Sequence, residues 1–541
     1  MGDYFVRIYR EKVKATWKLA FSSAFVLGLL IHLYKFTNIL PVADSLYNLY
    51  NSQNMVQSGR WFLAVACSFS SFFDLPWITG LFSVFFMALT AVVITEVFEM
   101  KNPCLIVVSG GLLVSFPSIY SALSYGFTAD GYMIAMFLSA LSVQLTKMSA
   151  QFNGRERIYR VIFGTICICL SCGIYQAYVS FSYILAICYF LMELLRNNRS
   201  AREYTGWIVS QIVMYVTALA AYYIIWKLCL HVQGYSATSY QGMDRIGLYG
   251  GRSLTDTIIA VLYSFAMFFL EGNPTEYGLT NWSALCILTI AAFAIGFCIA
   301  FFRSGCAKRK LHTVLCVLCL ISIPFGCCIL MFTSEQVFYH ALMMQSVCVL
   351  FIFTGVIWEA WCKPRGSTAV WVLLCAVVFN NGVTANIHYK HLDESFKRTQ
   401  ALAAEVNTRI HLIDDGTIRN VAIVGALDGF GEEALNNDAE LRGLGPWKTV
   451  CYTLLTEQFL STYTDFDLAY YRENGLEYPK VTYSSEELPF PRDYVFYFPM
   501  LSEEDEAKLT ETETFKAMPV WPAAGSVQAV GDTVVIKLSD V

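Results

Sequence analysis

The chain has 541 residues, enough for about three or four soluble domains, but its composition excludes a wholly soluble protein. Hydrophobic residues make up 56%, charged residues make up 15%, and the mean hydropathy is +0.50. Soluble globular domains carry about 25% charged residues. Residues 1–389 hold 24 Lys and Arg against 16 Asp and Glu, whereas residues 390–541 hold 13 against 26. The sequence therefore predicts a membrane domain over 1–389 and a soluble acidic domain over 390–541.

Eleven stretches of the first part are apolar over the roughly 20 residues that a membrane-spanning helix needs. They are 17–36, 77–97, 103–120, 129–147, 158–175, 177–195, 207–230, 283–303, 311–332, 338–359 and 367–388. Two further apolar segments, 60–73 and 254–270, are not counted as spans. The first is too short, and counting the second would move the later basic loops to the opposite side. We expect both to be helices that lie at the outer interface or re-enter from it.

The loops differ in basic residues, and this difference predicts the orientation of the chain. One side of the membrane part carries 19 Lys and Arg, and the other side carries 5. Because Lys and Arg accumulate in cytoplasmic loops, we expect a cytoplasmic N-terminus. Eleven spans then place the C-terminal domain outside the cytoplasm.

The acidic C-terminal part has the pattern of a small α/β domain. A helical pattern continues from the last span to about residue 410, and strand-like runs follow at 421–427, 494–498 and 533–538. The glycines after the first of these runs do not have the spacing of a dinucleotide-binding fingerprint. We therefore expect an ordinary strand-to-helix turn there.

Seventeen of the eighteen cysteines lie in the membrane part. Cys167, Cys169 and Cys172 have a short spacing that could bind zinc, but they lie within one continuous apolar run. We interpret them as small apolar fillers and expect neither disulfides nor zinc.

Polar residues near the apolar region are the candidate functional groups, because such residues are costly there. Asp44 is the single acid between the first predicted span and the Arg60–Trp61 pair that begins an apolar segment. A solvated loop carboxylate would also explain Asp44. The second outer loop adds Asp130, which could instead serve as the N-terminal acid of a helix.

Two more candidate groups lie on the same predicted face. Tyr175 and Gln176 form a tight turn between two spans, a place where tyrosine is also common as an interface residue. The segment 231–282 carries Arg245 and Arg252. An arginine side chain binds phosphate well through its planar fork of donors, although a solvated loop of mixed charge would explain these two arginines equally.

The sequence resembles the type II glucosyl transferases, a family of bacterial enzymes that modify cell-surface polysaccharides. That family belongs to the C-type (GT-C) superfamily of polyprenyl-phosphate-dependent glycosyltransferases. The resemblance covers about residues 20–390 and lies in three stretches in order. They are VADSLYNLYNSQNMVQSGRWF, YGFTADGYMIAMFLSAL and CGIYQAYVSFSYILAI.

The resemblance implies an enzyme of the bacterial plasma membrane that moves a sugar, glucosyl by family, from a polyprenyl phosphate to a hydroxyl of a polysaccharide or glycolipid. It implies Asp44 as general base. Cations would hold the departing phosphate, and Arg60, Arg245 and Arg252 are the candidates. Asp130, Tyr175, Gln176 and Trp61 are the candidate sugar or acceptor contacts.

Membrane lipid is a further expected partner, and nucleic acid is not. Relatives often have paired acids in the first loop, whereas Ala43 precedes Asp44 here. A divalent cation, Mg²⁺ or Mn²⁺, therefore stays open as a cofactor. Two other classes of protein also stay open: a lipid or polysaccharide transporter or flippase, and a polymerase or ligase that uses a lipid-pyrophosphate donor.

Overall fold

The computed structural model describes residues 13–41, 55–70, 75–148, 154–246, 253–270, 281–334, 337, 339–413, 420–424, 503–531 and 533–538. Its helices are α1 (Ala15–Thr37), α2 (Leu63–Ala66), α3 (Pro76–Val97), α4 (Pro103–Ser115), α5 (Pro117–Ser124), α6 (Ala129–Thr146), α7 (Gly154–Ile174), α8 (Val179–Arg196), α9 (Ala201–Gln233), α10 (Leu254–Leu270), α11 (Trp282–Arg303), α12 (Lys310–Cys327), α13 (Val347–Trp361), α14 (Pro364–Ile413), α15 (Glu503–Thr510) and α16 (Glu513–Ala517). The strands are β1 (Asn420–Val424), β2 (Val527–Val530) and β3 (Thr533–Lys537).

The helices confirm the predicted polytopic helical membrane fold. Among the described residues, ten helices are long and apolar enough to cross a membrane, and the number is eleven if the bent pair α4–α5 counts as one span. Each of the eleven apolar stretches of the sequence corresponds to one of these helices or to the bent pair.

The third predicted span is bent rather than continuous. Helices α4 and α5 meet at an angle of 41° around Pro117, which has no backbone N–H to donate and so interrupts the helical ladder. The buried His32 of α1 donates from Nε2 to the Val114 carbonyl at 2.8 Å. This bond gives a partner to a carbonyl at the bend.

The two apolar segments that are not spans differ from each other. The helix predicted within 60–73 is shorter than expected, because α2 covers only Leu63–Ala66 and turns follow as far as residue 70. The chain before it is held by a tertiary contact, in which the Phe62 N–H donates to the Gly173 carbonyl at 2.8 Å. The second segment is one regular helix, α10, whose position at the interface stays a prediction.

Local capping residues determine where α9 begins and ends. Ser200 and Glu203 form a reciprocal capping box at its first turn. At its other end Gly234 has a φ of +69° and donates its N–H to the His231 carbonyl, the left-handed termination that glycine favours. Local contacts determine both ends of α9. The aromatic residues in its C-terminal half therefore have defined positions along the helix axis.

The described residues fall into two compact units, and their boundary lies within α14 between Ile387 and His388. The second unit contains a three-stranded sheet of order β1–β3–β2, in which β1 pairs with β3 in parallel and β2 pairs with β3 antiparallel. Every residue of the central strand β3 is buried. This sheet confirms the predicted strands near 421–427 and 533–538, while 494–498 lies outside the described residues and β2 was not predicted.

The seventeen cysteines that the structure describes are free thiols. Cys169 and Cys172 are buried in an apolar cluster with Met214, Ala218 and Tyr222 of α9. Their short spacing thus serves helix packing between α7 and α9.

Replacement of Glu193 by alanine should destabilise the helical bundle. Its carboxylate is 2% exposed and accepts from Arg196 Nη1 at 2.8 Å and from Arg199 Nε at 3.1 Å. Without Glu193, the acidic partners left among the described residues are Glu99 for Arg196, at 3.2 Å, and Glu203 for Arg199, at 3.6 Å. Removal of one partner of a buried ion pair is destabilising. Since both arginines are partly exposed, we expect a cost of about 1–3 kcal/mol, seen as a lower apparent Tm in detergent.

The matched control is Glu156→Ala, which removes the partly exposed pair with Arg160 on α7. A surface pair between residues four apart on a helix contributes about 0.3–0.5 kcal/mol, so its Tm should stay near that of the wild type. Equal Tm changes in the two variants would contradict the stabilising role of Glu193.

Candidate active site

The segment before α2 is held in place by its neighbours on both sides. Its turn closes through the Arg60 N–H, which donates to the Met55 carbonyl at 2.8 Å. The indole of Trp226 on α9 donates to the Val56 carbonyl at 2.7 Å, and Phe62 bonds to Gly173 at the end of α7. The segment is therefore attached to the ends of both α7 and α9.

The Tyr-Gln turn between α7 and α8 contacts the same segment. Tyr175 is extended, with φ −158° and ψ 119°, and its ring stacks on Tyr132 with centroids 4.9 Å apart. The guanidinium carbon of Arg60 lies 4.9 Å from the centroid of the Tyr175 ring, close enough for a cation–π interaction. Arg60 and Tyr175, which were each predicted as site residues, are therefore in contact.

Gln176 links this turn to the segment directly. Its Nε2 donates to the Ser58 carbonyl at 2.8 Å and to the Tyr222 hydroxyl at 2.8 Å. Gly59 lies against this contact with φ +84°, and a Cβ there would overlap the Gln176 amide and the Tyr222 hydroxyl. Glycine is required at this position both by its backbone angle and by the space.

These residues form part of the wall of a cavity of about 240 Å³. It lies where α7 ends, α8 begins and α9 ends. The polar side chains on its wall belong to Ser58, Arg60, Tyr175, Gln176, Tyr222, Tyr223, Gln241 and Thr333. Among the described lining residues Arg60 is the only charged one, so the cavity suits a ligand with negative charge.

His340 lies near this cation. Burial, and then the positive charge of Arg60, hold the pKa of His340 below its usual value of 6.5. The imidazole is therefore neutral at pH 7 and leaves Arg60 as the cation here.

Arg245 lies beside the cavity rather than on its wall. Its side chain is 55% exposed, and its Nε lies 3.9 Å from an oxygen of Asp244. Its neighbours Met243 and Ile246 do line the cavity. The Thr238 N–H, which donates to the Gln57 carbonyl at 3.2 Å, attaches this part of the 231–246 segment to the chain before Arg60.

Asp130 and Trp61 lie behind the wall. Asp130 is 2% exposed, accepts from the Gly131 N–H at 2.9 Å, and lies against the Ser70 hydroxyl and the Cys67 thiol. Trp61 packs against Gly173, where a Cβ would come within 2.7 Å of its ring. Both residues support the segment that carries Arg60.

Asp44 and Arg252 lie outside the described residues. Their predicted roles as general base and phosphate ligand stay predictions. Within the part of the chain that the structure describes, no three His, Cys, Asp or Glu side chains form a group that could hold a metal ion.

The sequence pattern did not single out Ser58, Tyr222, Tyr223, Gln241 or Thr333. For Tyr222 and Tyr223 a signal was present, since two adjacent tyrosines interrupt the apolar run of α9 near its end. Ser58 acts through its backbone carbonyl, which no sequence pattern reveals.

A second cavity, of about 530 Å³, adjoins the first. It lies between α8, α9 and α12, and its wall is almost entirely apolar. The two cavities share Val179 and Leu219 on their walls. A site with one cation thus continues into an apolar groove between membrane-spanning helices.

Together, the bundle of apolar helices and the cavity that contains Arg60 define a membrane protein with a candidate site for an anionic ligand. Residues 33–357 match the model of the family described as glucosyl transferase GtrII, and the chain belongs to this GT-C-like family of membrane glycosyltransferases. It is therefore a membrane glucosyltransferase by family. Neither the search of curated proteins nor the search of solved structures found a match.

Replacement of Gly59 by alanine should lower sugar transfer strongly. The new methyl group would displace the Gln176 amide and the Tyr222 hydroxyl, and the contact that holds the segment ahead of Arg60 would open. We expect transfer to fall by about tenfold or more, as misplacement of a positioning group costs up to about 10²-fold. The initial rate of sugar transfer measures it.

The control is Gly234→Ala. Gly234 also has a positive φ, of +69°, but no atom lies within 4 Å of the position its Cβ would take. This variant carries the backbone strain of about 1–2 kcal/mol alone, so its rate should stay near that of the wild type. Similar rates for both variants would show that the crowding at Gly59 is irrelevant.

Proposed function

We propose that the protein moves a single glucosyl unit from a polyprenyl phosphate to a hydroxyl of a cell-surface polysaccharide or glycolipid. The observation that supports this most is Arg60, the only charged residue among the described residues of a small cavity that adjoins an apolar groove. A lipid phosphate has the same two parts, an anion and a long apolar chain. Burial of such a chain contributes about 0.8 kcal/mol per CH₂ group.

The size and charge of the first cavity favour a monosaccharide monophosphate. At about 240 Å³ it is smaller than the 300–1,000 Å³ typical of sites for drug-sized ligands. A lipid-pyrophosphate oligosaccharide would bring more charge and more bulk than one arginine and this volume accommodate. The polymerase or ligase alternative is therefore less well supported.

The reaction is a single displacement. The acceptor oxygen forms a bond to the anomeric carbon, the bond from that carbon to the phosphate oxygen breaks, and polyprenyl phosphate leaves with the electron pair. No acid is needed to protonate a leaving group that is already anionic, in contrast to glycoside hydrolysis. The acceptor proton passes to the Asp44 carboxylate, and the anomeric configuration is inverted.

The proposed contacts divide between the two substrates. Arg60 holds the donor phosphate, and Arg245, which lies beside the cavity, and Arg252 are further candidate phosphate ligands. Tyr175 and Gln176 face the sugar from the wall of the cavity. Asp130 and Trp61 hold that wall from behind. A divalent cation stays open, since Asp44 lies outside the described residues.

We place the enzyme in the bacterial plasma membrane with its N-terminus in the cytoplasm. The basic loops support this orientation, with 19 Lys and Arg on one side and 5 on the other. The cavity then opens toward the extracytoplasmic side, where surface polysaccharides are modified. Residues 390–541 would form a domain on that side.

Asp44→Asn should nearly abolish transfer. The amide keeps the size of the carboxylate but does not accept a proton, and general base catalysis contributes about 10²–10⁴-fold. The measurement is release of polyprenyl phosphate by purified protein from a polyprenyl-phosphate sugar. Asp256→Asn is the matched control, because Asp256 caps α10 through Ser253. Near-wild-type transfer by Asp44→Asn would remove Asp44 from the mechanism.

Arg60→Gln should weaken donor binding. Hydrogen bonds to charged groups contribute about 1.5–3 kcal/mol, so we expect the KM for the donor to rise by about 10- to 100-fold. Lys227→Gln is the control, since Lys227 lies over the rings of Tyr223 and Trp226 and is not on the cavity wall. An unchanged KM in Arg60→Gln would remove Arg60 as the phosphate ligand.

A further inference from the structure

Tyr222 is a polar group of the cavity that neither the sequence motifs nor the proposed reaction uses. It lies on α9, is 7% exposed, and is part of the wall that also carries Arg60. A buried tyrosine hydroxyl normally has a hydrogen-bond partner, and here one partner is Gln176 at 2.8 Å.

The direction of that hydrogen bond follows from the contacts of Gln176. The Ser58 carbonyl, 2.8 Å from the amide, is only an acceptor, so the atom that faces it must be the nitrogen of the amide. The same nitrogen lies 2.8 Å from the Tyr222 oxygen. The amide nitrogen has two hydrogens and no free lone pair to accept with. Tyr222 therefore accepts from Gln176 and keeps its own proton for another partner.

The surroundings of the Tyr222 hydroxyl determine which acceptor its proton can reach. Among the described residues, no acceptor is hydrogen-bonded to the Tyr222 hydroxyl proton, and its ring is on the cavity wall. A ligand with an anionic oxygen beside Arg60 would supply the missing acceptor.

We infer that the Tyr222 hydroxyl donates a hydrogen bond to a phosphate oxygen of the lipid donor next to Arg60, and that Gln176 is the positioning residue that orients it. The inference rests on the proposed polyprenyl-phosphate donor. The amide nitrogen of Gln176 donates to the Ser58 carbonyl and to the Tyr222 hydroxyl. Only the side-chain carbonyl oxygen of Gln176 then remains to contact the sugar. Arg60 supplies charge, and Tyr222 supplies a directed donor without charge.

The test compares two probes that differ only in the phosphate, a polyprenyl phosphate and the corresponding polyprenol, bound to the full-length protein in detergent. The ratio of their Kd values measures the phosphate contribution by itself, because losses in folding or in chain binding affect both probes equally. In Tyr222→Phe the preference for the phosphate should fall by about tenfold or more, since the lost hydrogen bond has a charged acceptor. Binding of the polyprenol should be unchanged.

Tyr204→Phe is the matched control. Tyr204 is buried on the same helix and donates its hydroxyl to the Glu193 carbonyl at 3.0 Å, at the other end of α9. Its loss should lower stability without changing the ratio of the two Kd values. The inference is overturned if Tyr222→Phe keeps the wild-type ratio. If the wild type itself shows no preference for the phosphate, the proposed function fails and the inference fails with it.

A second variant tests the positioning role. Gln176→Met keeps the length of the side chain but has no donor, so it should lower the phosphate preference only while Tyr222 is present to be oriented. In the double variant with Tyr222→Phe, the combined loss should be clearly smaller than the product of the two single losses. Losses that multiply would show that the two residues act independently.

Discussion

The hydrogen bonds from the Gln176 amide to the Ser58 carbonyl and the Tyr222 hydroxyl are the contact on which the candidate site depends. They join three separate parts of the chain: the segment before α2, the turn between α7 and α8, and the end of α9. Gly59 makes this approach possible, because any side chain would occupy the space of the amide. The next residue is Arg60, so the contact also determines the position of the only cation among the described residues of the cavity wall.

Arg60 is the only charged residue among the described residues of the cavity wall. Its charge is opposed by no acid among the described lining residues, and the nearby His340 stays neutral because burial and Arg60 itself lower its pKa. In a medium of low dielectric constant a single charge acts more strongly than in water. Under the proposed function, Arg60 would distinguish an anionic lipid headgroup from a neutral one, and the adjoining groove of α8, α9 and α12 would receive the apolar chain.

The candidate residues of the sequence have different positions in the structure, and the differences have physical causes. Arg60, Tyr175 and Gln176 meet at one cavity, because hydrogen bonds from Gln176 to Ser58 and from Phe62 to Gly173 attach the segment around Arg60 to the Tyr-Gln turn. Asp130 and Trp61 lie behind the wall, because the turns after Arg60 fold over the start of α6 and the end of α7. Tyr222 and Tyr223 are visible as adjacent tyrosines in the apolar run of α9, but only the structure shows that the Tyr222 hydroxyl contacts Gln176.

The sequence by itself determined the membrane-spanning helices, their number and the acidic C-terminal part with two of its strands, since these follow from local hydropathy and periodicity that need no tertiary information. The family also followed from the sequence, through short motifs in order. Only the tertiary structure decided that α4 and α5 bend at Pro117, that α2 is a single short helix, and that Gln176 faces Ser58 rather than solvent. These features depend on contacts between residues that are far apart in the chain. Ser58 and Gln176, for example, are separated by 118 positions, and local sequence patterns do not reveal such contacts.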